Sequence, residues 1–468
     1  MLDAPSIQVY NTLGRVKQDF HPREAGKVSM YSCGPTVYKY AHLGNFRTYL
    51  MSDFWVRALE YLGHDVTQVQ NITDVGHLVN DEEDTGEDKI LASALEEGKT
   101  PEEIADFYTA AFTADAELLR IKPPAHQPRA TDFIPEMIGV IQELEALGLT
   151  YTVNGNVFYD VVKRGDYPKL SGNTLEQLQA GARIEVDPNK RHPADFLLWK
   201  AGGERRLQIW DSPWGRGFPG WHIECTAMSM HYFPRGFDIH TGGIDNIFPH
   251  HEDEIAQSDA VAGHQVVNYW IHGAFLQMDG LKMAKSAGRT IRVTDLIDLG
   301  HDPLAFRFLY LGARYRAKLS FSLEALEGAE RGLASIRQRV SRLGPATAIE
   351  SEAARLLEAR FRAALADDLD LPLVSVLLQE VLRSPISEGE RRGLLERWDG
   401  VLQLDLARDP VVEASAPPEA LELAARRETA RRAGDWAEAD RIRDQLDALG
   451  WTVEDSAGGS RLKAVHRR

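Results

Sequence analysis

The sequence contains very few cysteines, with only Cys33 and Cys225 among 468 residues. Two cysteines cannot provide the disulfide framework of a small secreted protein. Isolated thiols of this kind are typical of a reducing compartment, where they serve as metal ligands or catalysts. We therefore expect a cytoplasmic protein.

A long apolar run and a leader peptide are also missing. No run approaches the roughly 18 residues that a membrane-spanning helix needs. The opening MLDAPSIQVYNTLGR has no basic segment followed by an apolar stretch, so no secretory signal is expected. Membrane association is not predicted.

Positive charge is in deficit, because the acidic residues outnumber Lys and Arg and give a net charge of −17. Non-specific nucleic-acid binding depends on cationic side chains that neutralise phosphates, so this composition argues against it. The balance is still compatible with a specific RNA partner that meets a local basic patch, since the C-terminal region is rich in arginine. The length exceeds that of one usual core, and two to four domains are expected.

The first third of the chain contains a strand, a turn and a helix in the order typical of nucleotide binding. Residues 27–33 predict a short strand, glycine and proline then break it, and a long apolar-periodic helix follows. Residues 64–74 predict a second strand, which completes a right-handed β-α-β unit. His42 and Asn45 stand at the start of the helix, where both can face the same phosphates. An isolated HxGN is nevertheless common by chance.

A thiol, an imidazole and a carboxylate recur in the middle of the chain. Residues 250–257 (HHEDEIAQ) contain no Gly or Pro and predict a helix, which places His250 and Glu254 on one face. Cys225 could join them, with Cys33 as a fourth ligand from far upstream. Zn²⁺ accepts such a mixture of sulfur, nitrogen and oxygen. The alternative is a pair of buried thiols beside a solvated charged helix.

Two glycine-containing loops could hold a nucleotide. Residues 241–245 (TGGID) predict a turn that allows close approach of a ligand, where Asp245 could accept hydrogen bonds from ribose hydroxyls. Residues 280–288 carry Lys282 and Lys285 between glycines, and such a cationic loop can close over a triphosphate. Taken alone, each loop is better explained by an ordinary surface turn.

The other segments predict connecting and helical structure. The acidic residues 81–88 predict a solvated loop, and residues 151–162 predict a hairpin around Asn154-Gly155. From about residue 300, amphipathic patterns predict a helical bundle. A linker at 407–418 precedes a predicted helix pair, 419–433 and 435–449.

Together these motifs closely resemble those of the cysteinyl-tRNA synthetase family, a group of class I aminoacyl-tRNA synthetases. The resemblance covers essentially the whole chain, and the combination of motifs is far more specific than any one of them. Its blocks are CGPTVY (33–38), HLGN (42–45), NITD (71–74), RAT (129–131), KLSG (169–172), PGWHIEC (219–225), FPHHEDEIAQS (248–258), NYWIH (268–272) and KMAKS (282–286).

The resemblance implies an α/β fold with a Rossmann-like catalytic domain that is interrupted by a connective insertion. An α-helical bundle and a small C-terminal anticodon-binding domain follow. The implied divisions are 1–123 (first catalytic half), 124–208 (insertion), 209–285 (second catalytic half), 286–325 (stem-contact segment), 326–406 (bundle) and 407–468 (linker and anticodon-binding module).

The resemblance also implies a two-step reaction by a monomer. L-cysteine and ATP, with Mg²⁺, give cysteinyl-adenylate and pyrophosphate, and the cysteine then passes to the 3′ end of tRNA(Cys). One zinc ion per chain would select the substrate thiolate over serine, a discrimination that packing alone supplies weakly. The substrate's own carboxylate attacks the α-phosphate, so positioning and charge stabilisation suffice.

The residue roles that the resemblance implies fall into five groups. They are Cys33, Cys225, His250 and Glu254 for zinc; His42, Asn45, Lys282 and Lys285 for catalysis; Gly44, Gly242, Gly243 and Asp245, with the catalytic residues, for ATP; Gly34, Thr36, Thr73 and Trp221 for the amino acid; and Arg431, Trp436, Asp440 and Asp455 for the anticodon.

Two departures and three rival functions accompany this prediction. Asn45 replaces the usual histidine and can donate hydrogen bonds but cannot carry charge; Ala284 replaces serine and keeps both lysines. The nearest rival is a ligase that joins cysteine to an amino-sugar, a family without an anticodon module. A non-catalytic RNA-binding paralogue would be expected to lose the lysines or the metal ligands, and a zinc hydrolase would be expected to carry a HExxH arrangement.

Overall fold

The computed structural model describes residues 5–76, 78–80, 85–181, 187–203, 206–278, 290–407, 418–432, 435–449, 451–456 and 459–464. Its strands are β1 (Gln8–Asn11), β2 (Val16–Asp19), β3 (Lys27–Ser32), β4 (Asp65–Gln70), β5 (Leu78–Asn80), β6 (Thr85–Asp88), β7 (Thr150–Val153), β8 (Asn156–Tyr159), β9 (Phe196–Ala201), β10 (Gly217–Pro219), β11 (Phe237–Gly243), β12 (Val267–Gly273), β13 (Leu276–Met278), β14 (Leu319–Phe321), β15 (Trp451–Ser456) and β16 (Gly459–Ala464).

The helices surround these strands along the whole chain. They are α1 (Leu43–Tyr61), α2 (Lys89–Glu97), α3 (Pro101–Leu118), α4 (Ile134–Ala146), α5 (Val161–Arg164), α6 (Leu175–Gly181), α7 (Trp221–Tyr232), α8 (Glu252–Ala262), α9 (Val293–Asp298), α10 (Pro303–Tyr310), α11 (Leu323–Ser341), α12 (Glu352–Ala366), α13 (Leu371–Arg383), α14 (Glu388–Leu402), α15 (Pro418–Arg432) and α16 (Trp436–Ala448). Short 3-10 turns occur at Ala130–Phe133 and Ile244–Asn246, and a π turn at Ile247–His251.

A parallel sheet of four strands lies at the centre, in the order β12-β11-β3-β4. The chain leaves β3 for β4 on one side and later returns to β11 on the other side. This reversal of direction is the switch point at which open α/β sheets bind ligands, beyond the carboxyl ends of the strands. The predicted β-α-β opening is therefore confirmed as β3-α1-β4.

Both faces of this sheet are buried, as a parallel sheet requires. Met30, Ile239 and Ile271 belong to one apolar core, which also contains α1 and the helices of the bundle. Tyr31 and Trp270 belong to a second core, which joins the sheet to α4, α7 and α8. The bundle thus continues the core of the sheet, because α1 packs against α14.

The chain between the two halves of this sheet forms a separate antiparallel sheet, in the order β10-β9-β8-β7. Its first hairpin turns at Asn154 and Gly155, whose φ angles are 52° and 80°. Two central residues in the left-handed region are typical of a tight hairpin turn, so the predicted hairpin is confirmed.

Two local predictions were wrong. Residues 85–88 of the acidic segment form β6, which pairs antiparallel with β5 instead of lying in a solvated loop. Thr241 to Gly243 belong to β11 instead of a turn, because their backbone pairs with β12 as far as Gly273. In both places backbone pairing outweighs the low strand propensity of glycine and acidic residues.

Within the described ranges, none of the helices combines the length and apolarity needed to traverse a bilayer.

A buried ion pair joins α1 to α10. The Arg307 guanidinium donates to Asp53 Oδ2 at 2.5 Å, and neither side chain is accessible to solvent. Arg307 also donates to the carbonyls of Leu402 (2.6 Å) and Leu119 (3.0 Å). One side chain therefore connects α1 to the end of α14.

Replacing this arginine should destabilise the whole protein. We expect Arg307→Met to lower the free energy of unfolding by about 3 kcal/mol, because it leaves Asp53 buried with only Arg57 and backbone N–H groups as partners. Urea denaturation measures the loss. Arg331→Met is the control, since Arg331 pairs with Glu327 in solvent and should change stability by less than about 0.5 kcal/mol. Equal effects in both variants would contradict the assignment.

Candidate active site and metal centre

A cavity opens at the carboxyl ends of all four parallel strands. The segments that follow β3, β4, β11 and β12 form its walls, together with the start of α1 and Trp221. This is the place where the sheet topology predicts a ligand. The cavity brings together residues that the sequence analysis assigned separately to the metal, amino-acid and nucleotide sites.

The turn after β3 depends on a close approach between two strand ends. A Cβ on Gly34 would lie 1.6 Å from the carbonyl oxygen of Asn71, which only glycine avoids. The Gly34 N–H also donates to Asn71 Oδ1 at 2.9 Å. Thr36 and Thr73 form a parallel bridge beyond it. Gly34, Thr36 and Thr73 therefore share one wall of the cavity, as expected for one pocket.

Four potential metal ligands meet at the base of the cavity. The ligand atoms of Cys33, Cys225, His250 and Glu254 all lie within 4.8 Å of one another. The predicted helix does not include His250, because α8 begins at Glu252 and His250 lies in the preceding π turn. His250 Nε2 still reaches Glu254 Oε1 at 3.0 Å, as the sequence spacing predicted.

The electrostatics of this cluster favour a positive charge. Burial opposes protonation of His250, but Glu254 and Cys225 beside it outweigh burial and raise its pKa to about 10. Burial would raise the pKa of Glu254, but His240 and His250 lower it to about 2. Cys33 and burial raise the pKa of the Cys225 thiol well above its usual range. The cluster offers two sulfurs, one nitrogen and one oxygen, and its electrostatics favour a bound positive charge. This combination fits a borderline-soft divalent cation.

Further histidines surround these ligands, and sequence reasoning did not assign them a role. His240 Nε2 lies 3.0 Å from Glu254 Oε2, and His251 Nε2 lies 3.2 Å from Cys33 Sγ. His222 Nδ1 lies 3.0 Å from His250 Nδ1. Such outer partners orient metal ligands. The signal that could have revealed them is the number of histidines in the motifs WHIEC, HTGG and FPHH.

Burial also fixes the charge of the deepest imidazoles. Burial and nearby imidazoles lower the pKa of His251 well below its usual range. Burial lowers the pKa of His272 to about 3, and its Nε2 lies 2.7 Å from His251 Nδ1. Both rings are therefore neutral at physiological pH and act through hydrogen bonds.

The end of the cavity where the sequence analysis predicted the nucleotide contains a reciprocal cap at the start of α1. We call this region the nucleotide end of the cavity. His42 Nδ1 accepts the Asn45 N–H at 3.2 Å, and Asn45 Oδ1 accepts the His42 N–H at 3.0 Å. Burial, with Lys39 nearby, lowers the pKa of His42. The ring is thus neutral, and because Nδ1 accepts, its proton is on Nε2. His42 can donate from Nε2, and Asn45 can donate from its amide NH₂.

The other predicted nucleotide residues are distributed around this end. Gly44, Gly243 and Asp245 line the cavity. Gly242 lies one position earlier in β11, where a Cβ would lie 2.6 Å from His251 Cε1. Lys282 and Lys285 lie outside the described residues.

Several lining residues were missed by the sequence analysis. Thr48 and Tyr49 follow Asn45 on the cavity side of α1, and helical periodicity from His42 could have identified them. Other lining residues to which the sequence analysis gave no role are Tyr38, Lys39, Tyr40, Tyr108, Phe112, Phe275 and Leu276.

The acidic residues beside Glu254 hold the insertion in place. The Glu252 carboxylate accepts the backbone N–H groups of Lys169, Leu170 and Ser171 at 2.6–3.0 Å. Asp253 accepts the Tyr167 hydroxyl at 2.8 Å. This part of HHEDE is therefore buried and partnered, instead of forming a solvated face.

The residues predicted to read the anticodon lie near the C-terminus. The Arg431 guanidinium lies 5.9 Å from the ring centre of Trp436, which is 62% exposed. Asp440 is one helical turn after Trp436 and pairs with Arg443 at 3.2 Å. Asp455 lies in β15, opposite Ser460, and its side chain is outside the described atoms.

Two protein-family models match this chain, one over its N-terminal two thirds and one near its C-terminus. The family model for the "tRNA synthetases class I (C) catalytic domain" matches residues 19–331, and that for the "Cysteinyl-tRNA ligase anticodon binding domain" matches residues 414–461. Among similar structures is methionyl-tRNA synthetase of Mycobacterium tuberculosis bound by methionyl-adenylate, with a TM-score of 0.53 over 81% of this chain and 90% of that chain. At 14% identity this likeness shows the fold alone, and it confirms the predicted Rossmann-like α/β class.

Full-length relatives carry one name. The cysteine–tRNA ligase of Treponema denticola is 44% identical over 98% of this chain and 100% of its own length. The cysteine–tRNA ligase of Chromobacterium violaceum is 44% identical over 97% of this chain and 99% of its own length. That of one Thermus thermophilus strain is 42% identical over 98% of this chain and 99% of its own length. Because these matches run over nearly the whole sequence and include both domains, this chain belongs to the cysteine–tRNA ligase family.

Proposed function

We propose that this protein activates L-cysteine with ATP and transfers the cysteine to the 3′ end of tRNA(Cys). One observation carries the proposal. The cluster of Cys33, Cys225, His250 and Glu254 and the N-terminus of α1, which can bind phosphate, share a single cavity. The first can receive a thiol, and the second can receive a triphosphate. A cysteine placed between them could direct its thiol to the first and its carboxylate to the α-phosphate held by the second, accepting the adenylyl group as pyrophosphate leaves.

The ligands Cys33, Cys225, His250 and Glu254 would hold one Zn²⁺. The chemistry that the ion supplies when bound is ligation of the substrate thiolate, for which a serine hydroxyl is a poor competitor. Trp221 would close the amino-acid pocket, since its ring stacks on His250 with centres 4.2 Å apart. Gly34, Thr36 and Thr73 would form the opposite wall.

Activation needs no protein nucleophile, because the carboxylate of cysteine attacks the α-phosphate. His42 Nε2–H and the Asn45 amide would donate to the phosphates of ATP, which arrives with Mg²⁺. Gly242, Gly243 and Asp245 would hold the adenosine, and Gly44 would contact ATP as part of the HLGN segment. Lys282 and Lys285, assigned from the KMAKS motif, would stabilise charge that develops on the leaving pyrophosphate.

The C-terminal module, which contains α15, α16 and β15, would read the anticodon. Trp436 offers an exposed ring on which a base can stack, with Arg431 beside it, and Asp440 and Asp455 offer acceptors. The proposal includes a monomer in the cytoplasm and the division 1–123, 124–208, 209–285, 286–325, 326–406 and 407–468.

The amino-sugar ligase is the less favoured alternative. An enzyme of that kind uses a small amine as the acceptor and needs no anticodon module. The anticodon-domain match at residues 414–461 and the full-length relatives favour tRNA instead.

Charging of tRNA tests the proposed function directly. We expect the purified protein to transfer labelled cysteine, and not serine, to total bacterial tRNA in acid-precipitable form. The ligand cluster provides the reason for the selectivity. Cysteine-dependent ATP consumption without charging would favour the amino-sugar ligase, and charging with serine would contradict the role of the metal cluster.

Loss of one sulfur ligand should remove both metal and selectivity. We expect Cys225→Ser to lower bound zinc, measured by elemental analysis, and to raise the KM for cysteine by about 100-fold or more, because outer-shell changes alone cost about 10–100-fold. Thr226→Ser is the control, since Thr226 is the next residue on α7 and is equally buried. Unchanged zinc content and cysteine KM in Cys225→Ser would separate this cluster from substrate selection.

Removal of the exposed indole ring of Trp436 should weaken tRNA binding and leave cysteine activation unchanged. We expect Trp436→Ala to raise the KM for tRNA about tenfold, because stacking of one base contributes about 1–3 kcal/mol. Cysteine-dependent ATP–pyrophosphate exchange should be unchanged. Leu421→Ala is the control, as Leu421 is an exposed apolar residue on the neighbouring helix. Equal losses in exchange and charging would show that the C-terminal assignment is wrong.

A further inference from the structure

A buried arginine lies beneath the nucleotide end of the cavity and touches two of its walls. Arg47 is in the second turn of α1 and is 2% exposed. Its Nη1 donates to the carbonyl of Phe275 at 2.6 Å, and its Nη2 donates to the carbonyl of Ala317. Neither carbonyl belongs to its own helix, so the guanidinium connects three separate segments.

The two walls that Arg47 connects adjoin each other at the edge of the cavity. One wall is the start of α1, where Gly44, Asn45 and Thr48 line the cavity on either side of Arg47 in sequence. The other wall is residues 273–276, which also line the cavity and run from the end of β12 into β13. The position of residues 273–276 against the start of α1 therefore helps to set the shape of this part of the cavity.

The wall at residues 273–276 depends on support from outside its own sheet. The Ala274 N–H donates to the Tyr315 carbonyl at 2.8 Å, and β13 pairs with the three-residue strand β14. Arg47 adds the Phe275 and Ala317 carbonyls to this support. On the far side of the same helix end, the Leu43 N–H donates to the Ile291 carbonyl at 2.9 Å. The start of α1 thus holds chain on both sides of the 279–289 segment.

We propose that Arg47 is a positioning residue for ATP, which fixes the spacing between the HLGN wall and the wall at residues 273–276. This inference rests on the proposed function. Arg47 acts through the Phe275 carbonyl and lies below the cavity, so it orders the wall without touching the substrate. A planar guanidinium suits the role because it holds two carbonyls in fixed directions, whereas an ammonium group lacks that fixed geometry.

The test is ATP–pyrophosphate exchange by the full-length enzyme. We expect Arg47→Lys to raise the KM for ATP about tenfold and to leave the KM for cysteine within about twofold of wild type. Arg47→Met should raise the ATP KM further. Transfer of cysteine from preformed adenylate to tRNA should change little in both variants, because the nucleotide is then already placed. If Arg47→Met does not fold, Arg47→Lys decides the matter.

Arg307→Lys provides the matched control. Arg307 is also a fully buried arginine that binds backbone carbonyls next to α1, but it faces the bundle. Thermal unfolding of both variants shows whether they lose similar stability. The inference is overturned if Arg47→Lys keeps the wild-type ATP KM, or if Arg307→Lys raises it equally. Absence of exchange in the wild-type enzyme would overturn the proposed function itself, and the inference with it.

Discussion

Helix α1 is a helix without a solvent face over more than two turns, and this constraint organises the molecule. Every residue from 49 to 56 is buried. Because the polar side chains of Ser52 and Asp53 are buried within this helix, each needs a hydrogen-bond or ion-pair partner from a neighbouring segment. Ser52 meets Thr241 of the sheet, and Asp53 meets Arg307 of α10 and the backbone of Lys122. The sheet, the connecting chain and the bundle are therefore all attached to α1, and the N-terminus of this helix lines the cavity.

The sequence allowed the fold class to be predicted, because the strand before Cys33 and the helix after His42 follow from apolar periodicity. The grouping of Cys225, His250 and Glu254 was predicted from their donor chemistry and from the four-residue spacing of His250 and Glu254, and the fold brings these side chains together with Cys33. The histidines around them could not be predicted, since their roles depend on which ring nitrogen meets which neighbour. Arg47 and Arg307 were also missed, because a buried arginine cannot be distinguished from a surface one until its partners are known.

The motif HHEDE illustrates how one short run can serve two structures. Glu254 points to the ligand cluster, while Glu252 and Asp253 bind the loop around Leu170 in the insertion. A carboxylate that accepts several backbone N–H groups is a strong local anchor. The insertion is thus attached to the helix that supplies Glu254.

The pairing of β3 with β11 has a consequence for how the protein is made. More than two hundred residues separate these adjacent strands, and a similar interval separates Cys33 from Cys225, His250 and Glu254. During translation, β3 must wait as an unpaired edge, and edges of this kind invite wrong partners. Cys33 meanwhile lacks the three side chains that lie beside it in the folded protein. Assembly of this side of the sheet therefore has to wait until the chain through β11 and α8 has left the ribosome.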